Sequence, residues 1–188
     1  MKRIGSILLV LLLMLTGCSK GEDEKETKAV TYTNTFDFEY EIADMSYYNG
    51  LSFSGHAFKA INVNTVIDLI ENKGTAIVYF ASPTCSACQV ATRVVNDAAM
   101  QAEITVYYIN ANEMDDEGYD TFVQLAKEVL TKDDLGNPQL ATPDLMVINS
   151  GEILGNNIGI ISSTGDLTQE EYDAALTKFY DLIKKVAE

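Results

Sequence analysis

The chain has 188 residues, 47% of them hydrophobic, with 13 Lys+Arg against 28 Asp+Glu and a formal net charge of −15 at pH 7. That length gives room for one domain with a proper core. The acidity argues against a nucleic-acid partner, which needs a basic footprint, and against charge-driven binding to an anionic membrane.

The N-terminus, "MKRIGSILLVLLLMLTGCSK", combines Lys2 and Arg3 with an unbroken apolar run from Ile7 to Leu15 and small residues before Cys18. These are the three regions of a secretion signal. The run is about half of the ~20 residues a membrane-spanning helix needs. Leu15 to Cys18, "LTGC", resembles a bacterial lipobox, which implies that residues 1–17 are a lipoprotein signal peptide and that Cys18 carries lipid. Residues 18–35, charged and Thr-rich without apolar periodicity, read as a flexible tether. In the extension 36–56, Phe36, Phe38 and Tyr40 alternate as in a strand or extended segment packed on the domain, and the aromatics of "YTNTFDFEYE" and "MSYY" read as core.

From residue 57 the elements follow in order. "AFKAINV" reads as a short strand, and Asn64 is a candidate cap for a helix "TVIDLIENK" that stops at Gly74. "AIVYFA" is a buried strand, and "CSAC" opens a helix with Val90, Val94 and Ala98 on one stripe, beside Ala91 and Val95. "ITVYYI" is the next strand, and 117–131 place Phe122, Leu125, Ala126 and Val129 on a helical face. "PDLMVIN" and "EILGNNIGI" pair through the turn "NSGE". Thr168 and Glu171 are spaced as a capping box for a last helix with Tyr172, Leu176, Phe179 and Ile183 on one face and Lys184 and Lys185 in its last turn. The order βαβαβαββα predicts a mixed central sheet with helices on both faces, an α/β fold.

A Cys pair spaced like Cys85 and Cys88 occurs in redox sites, metal sites and cores. With Cys18 assigned to lipid, these two are the remaining thiols, facing an oxidising exterior. A zinc site needs two more ligands, and the chain offers one histidine, His56, so no metal is expected and His56 reads as a surface or strand residue. A disulfide closing so short a ring is a poor structural staple, which favours catalysis over a clip. Cys85 would stand at the first turn of its helix, where free N–H groups and the dipole ease ionisation of a thiol below the ordinary value of ~8.5. It is the candidate nucleophile. Cys88, one turn further in, would resolve the mixed disulfide.

"CSAC" after "AIVYFA", Thr142-Pro143 leading "DLMVIN", and the turn "NSGE" together resemble the thioredoxin superfamily over 57–188. The chain is most similar to membrane-tethered thioredoxin-like lipoproteins of Gram-positive bacteria, including those described as bacteriocin transport accessories. The resemblance implies a thioredoxin fold and a cis Pro143 beside the cysteines, with Thr142 and Pro143 presenting a backbone edge to an extended substrate. It departs from the family at Thr84, where many members have an aromatic residue, and at the spacer Ser86-Ala87, where many have Gly-Pro. Many also place a buried acid six positions before the first Cys. Here that position is Tyr79, a candidate proton relay but a poor base.

The expectation is a lipid-anchored, extracytoplasmic thiol–disulfide oxidoreductase of the cell membrane. Thr84, Thr142 and Pro143 would contact substrate, and the redox-active disulfide Cys85–Cys88 would work without a cofactor. Its partners would be thiols and disulfides of exported proteins and a membrane electron donor or oxidant protein. The alternative is a thioredoxin-like accessory that docks a partner of an export system, with non-essential cysteines.

Overall fold

The computed structural model describes residues 29–34, 36–158 and 167–187. In chain order they form β1 (Glu41–Ile42), β2 (Phe58–Ala60), α1 (Val63–Glu71), β3 (Ala76–Ala81), α2 (Ser86–Gln101), β4 (Val106–Asn110) and a 3-10 turn, Ala111–Glu113. Then come α3 (Asp116–Ala126), β5 (Thr131–Lys132), β6 (Pro138–Gln139), β7 (Asp144–Asn149), β8 (Glu152–Ile158) and α4 (Gln169–Ile183), with a second 3-10 turn at Lys184–Ala187. One sheet has the order β1-β2-β4-β3-β7-β8. β2, β4 and β3 run parallel, β7 is antiparallel to β3 and β8 to β7, and at the opposite edge β1 is antiparallel to β2. Helices cover both faces, the mixed-sheet α/β architecture that the order of elements predicts.

Strand alternation divides the core in two. On one face Ile77, Tyr79, Ala81, Leu145 and Val147 pack with Cys88, Val94 and Val95 of α2 and Phe179 and Ile183 of α4. On the other, Val78, Phe80, Met146 and Ile148 pack with Val66 and Leu69 of α1 and Phe122 of α3. β3 is buried along its whole length, which is why it reads as a continuous apolar run rather than an alternating one.

The expected hairpin is present as β7 and β8. Asn149 pairs with Glu152, and the two residues between, Ser150 and Gly151, take φ of 52° and 81°, a pair of left-handed conformations that matches the twist of the strands. The α4 cap is also present: Thr168 Oγ1 accepts from the Glu171 N–H, and Glu171 Oε2 accepts from the Thr168 N–H at 2.9 Å. Lys184 and Lys185 lie in the 3-10 turn beyond α4.

Other expectations are corrected. The cap of α1 is Asn62, not Asn64: Asn62 Oδ1 accepts the Thr65 N–H at 2.9 Å, so the helix starts early enough to bury Val63. The preceding strand is accordingly shorter than "AFKAINV". α1 ends at Glu71, Lys73 takes the left-handed φ of 58°, and Gly74 returns its N–H to Leu69 O where a side chain would strike Leu69. α3 ends at Ala126, and Val123 rather than Leu125 is buried on its inner face, Leu125 being 40% exposed. Phe36, Phe38 and Tyr40 precede the first strand, so of the two expected forms, strand or packed extended segment, it is not the strand that forms. Phe36 and Phe38 pack half-buried on the α1 and α3 face, whereas Tyr40 and Tyr47 are exposed, so the aromatic segments are only partly core. Ala43, Met45 and Tyr48 do enter the core beside α2. Between α3 and β7 the chain adds the β5–β6 hairpin, which no hydrophobic pattern announced.

Candidate functional site

β3 ends at Ala81, and the chain turns through Ser82, Pro83 and Thr84 before α2 begins. Hydroxyls hold this turn: Ser82 Oγ receives the Thr84 N–H at 3.2 Å and lies 2.8 Å from Thr84 Oγ1, while the Cys85 N–H donates to Ser82 O at 3.1 Å. Cys85 is the N-cap of α2, in extended conformation, and its Sγ accepts the Cys88 N–H at 3.1 Å. A sulfur takes the place of the oxygen usual at such a cap, so α2 directs its unpaired N–H groups and the positive end of its dipole at Cys85.

Cys85 and Cys88 are joined in a disulfide. The two sulfurs differ in access. Cys85 is half-buried and Cys88 is 0% exposed, under Ser86, which is exposed, and Ala87, which is half-buried. Thr84 stands exposed beside them. Just before β7, the strand next to β3, Thr142 brings its carbonyl oxygen to 3.7 Å from Cys85 Sγ, and the Thr142–Pro143 peptide bond is cis. Thus Thr84, Cys85, Ser86, Ala87, Cys88, Thr142 and Pro143 converge at one end of the sheet.

Tyr79 is also near but turned to another task. Its side chain is fully buried beneath α2, and its hydroxyl lies 3.0 Å from Thr92 Oγ1, which donates at 2.6 Å to Cys88 O. The Thr92 proton is therefore committed to the carbonyl, and Tyr79 is the donor of the pair. Burial drives its phenol well above the ordinary value of 10.0. Through Thr92 it is linked to the backbone carbonyl of Cys88. His56 spans its own loop, Nδ1 accepting the Phe58 N–H at 3.1 Å and Nε2 lying 3.2 Å from Phe53 O. Cys18 lies outside the described residues.

Three residues at the site went unnoticed in the sequence. Gln89 donates to Pro83 O at 2.8 Å and to Tyr47 O at 3.0 Å, and accepts the Asn49 N–H at 3.1 Å, so it stitches the extension to the cysteine turn. Asn112, from the 3-10 turn after β4, donates to Thr84 Oγ1 at 3.1 Å. Asp144, directly after Pro143, is 0% exposed. An acid inside the run "DLMVIN" was the available signal for the last. The other two depend on contacts made far along the chain.

No protein-family model matches the chain, and no curated protein matches it. Solved structures similar to it include thioredoxin O1 and thioredoxin O2 from Arabidopsis thaliana, each in the oxidised state, at 16% and 12% identity. Each likeness covers 70% of this chain, with 99% and 96% of the other chains and a TM-score of 0.42 in both cases.

Proposed function

We propose that the chain is a thiol–disulfide oxidoreductase, held on the extracytoplasmic face of the cell membrane by lipid on Cys18 and acting on thiols and disulfides of exported proteins. The observation that carries the redox reading is the asymmetry of the pair: a partly exposed Cys85 at a helix N-terminus, joined to a fully buried Cys88. A substrate thiolate reaches Cys85 Sγ, forms a mixed disulfide, and releases Cys88 as thiolate. In reverse, Cys85 attacks a substrate disulfide and Cys88 resolves the product. The N–H of Cys88 and the start of α2 stabilise negative charge on Cys85 Sγ, which favours it as attacking and leaving group. Thr142, with its carbonyl beside that sulfur, offers an edge to an extended substrate backbone. The anchor rests on "LTGC" and the apolar run before it.

Insulin reduction by the purified full chain, with dithiothreitol as donor, tests the redox reading. Wild type should accelerate precipitation and Cys85→Ser should not. Equal rates would sink the reading and leave a docking module. Cys88→Ser should accumulate mixed disulfides with exported proteins while Cys85→Ser accumulates few, and equal trapping would reverse the assigned roles. Intact mass of the protein from cells should show a diacylglyceryl group on Cys18, and an unmodified Cys18 removes the anchor.

A further inference from the structure

The chain has two arginines, Arg3 and Arg93, against 28 Asp+Glu. Arg93 belongs to α2, four residues beyond Gln89, which is itself four beyond Cys85. Residues four apart on a helix line one stripe, so Cys85, Gln89 and Arg93 share a face, with Arg93 ~12 Å down the axis from Cys85. Along that stripe lies a groove of about 600 Å³, floored by Val90 and Val94. One wall is the extension at Asn49 and Gly50, fixed there by the bonds of Gln89 to Tyr47 O and the Asn49 N–H. The other is the start of α4, at Leu167, Gln169 and Tyr172.

Among the described residues Arg93 is the single charged member of the lining, although the chain as a whole is strongly acidic. Two carboxylates on the bordering helices are engaged by neutral donors: the Tyr172 hydroxyl donates to Asp97 Oδ2, and Gln169 Nε2 donates to Asp173 Oδ1 at 2.7 Å. Arg93 is exposed and, among the described residues, makes neither a hydrogen bond nor an ion pair. Its stem runs close to the turn at Gly50, where a Cβ would lie 3.7 Å from Arg93 Cδ. A guanidinium is a planar fork of five donors matched to a carboxylate, and this one has its fork unused at the side of an apolar floor.

We propose that this groove is a substrate subsite for an extended acidic segment: a peptide whose cysteine reacts at Cys85 lies along α2 and pairs an Asp or Glu carboxylate with Arg93. This rests on the reading that Cys85 exchanges with substrate sulfur. An extended chain advances ~3.3 Å per residue, so the acid stands three or four residues from the reacting cysteine. Val90 and Val94 take apolar side chains between the two. The exchange itself balances without the groove. The Cys85 thiolate attacks the substrate sulfur, the substrate S–S bond breaks, and its other half leaves as thiolate. Cys88 then displaces the substrate thiolate as the Cys85–Cys88 bond forms, so two electrons pass from the pair to the substrate. What the groove adds is a choice among substrates.

The test uses the dithiothreitol-reduced full chain, freed of dithiothreitol, with short blocked peptides. One cysteine in each carries mercaptoethanol in a mixed disulfide, and Glu, Gln or Lys stands four residues before or after it. Mass spectrometry follows the loss of each peptide disulfide. On one side of the cysteine, wild type should react faster with the Glu peptide than with Gln, and faster with Gln than with Lys. Arg93→Gln should cut the Glu:Gln rate ratio by about threefold, as expected of an exposed ion pair, and Arg93→Glu should turn the preference toward Lys. Ratios taken within each protein cancel any general change in reactivity. Identical ratios in all three proteins overturn the proposal, and so does a wild-type preference for Lys. An equal effect with Glu placed next to the cysteine overturns it too, because that is a diffuse field and not a contact in the groove. The same peptides with Ser for Cys, followed by fluorescence anisotropy, separate this inference from the proposed function. A chain that reduces no insulin yet binds the Glu peptide more tightly than the Gln peptide, with the difference lost in Arg93→Gln, would lose the proposed function and keep the groove. An active chain with unchanged ratios would do the reverse.

Discussion

Tyr79 and Phe80 are neighbours in β3 but open onto two different interiors. Below Tyr79, polar atoms are buried in company: its hydroxyl donates to Thr92, Thr92 donates to Cys88 O, and nearby Tyr48 and Tyr108 join hydroxyls at 3.0 Å. Opposite Phe80, Asp144 is equally buried with one oxygen unpartnered. Burial alone therefore does not decide what a polar group does. Where partners close the network, burial makes the group rigid and inert at neutral pH. Where they do not, the cost is met by holding a proton, and the group becomes responsive there.

Making the two faces alike should be the most damaging change. Tyr79→Asp would place a carboxylate at a site with 0% exposure and remove the ring that stacks on Phe58 with centroids 5.8 Å apart. Loss of a buried aromatic costs about 3–5 kcal/mol before any charge is counted, so the variant should show no cooperative urea transition at pH 7. A transition close to that of wild type would mean that the α2 face is open to water.

Asp144→Asn should act in the other direction, and with pH. The folded carboxyl sits at about 7 against an ordinary 3.8, so between those values the folded chain keeps a proton that the unfolded chain has lost. Stability from this group is complete below about pH 4 and declines as pH rises through 7. Integrated at 1.36 kcal/mol per unit, the penalty approaches about 4 kcal/mol above pH 7, and the variant should recover part of it at pH 8 but little at pH 4. Urea titrations of both chains across that range would show it, and parallel pH profiles would remove it.

Tyr79→Phe should cost about 1 kcal/mol, the same from pH 5 to 9, because Thr92 keeps its bond to Cys88 O when the phenol is gone. A pH-dependent loss would mean that the phenol titrates after all. On the Asp144 face, Asn62→Ala should cost about 1 kcal/mol through the lost α1 cap without pH dependence, and Asn64→Ala less than about 0.5 kcal/mol. Thermal melts that reversed the two would restore the cap to Asn64.

What the sequence determined by itself is what neighbours along the chain enforce. The cysteine turn before α2, the two-residue turn at Ser150 and Gly151, and the capping box of Thr168 and Glu171 each act across a few residues, and all three are where their residue types place them. The buried run of β3 and the alternation that sets Tyr79 apart from Phe80 were legible for the same reason. Asn62 and Asn64 carry identical local credentials, and the choice fell to the core, which needed Val63 inside the helix. Val123 and Leu125 likewise shared a helix whose orientation was settled only by packing. The β5–β6 hairpin has strands of two residues, too short for any period to register. Asp144 is the extreme case. The residue is plain in "DLMVIN", but its proton affinity depends on β3, β8 and the chain after α3 closing around it, because desolvation sums over every atom nearby in space and a sequence records only those nearby along the chain.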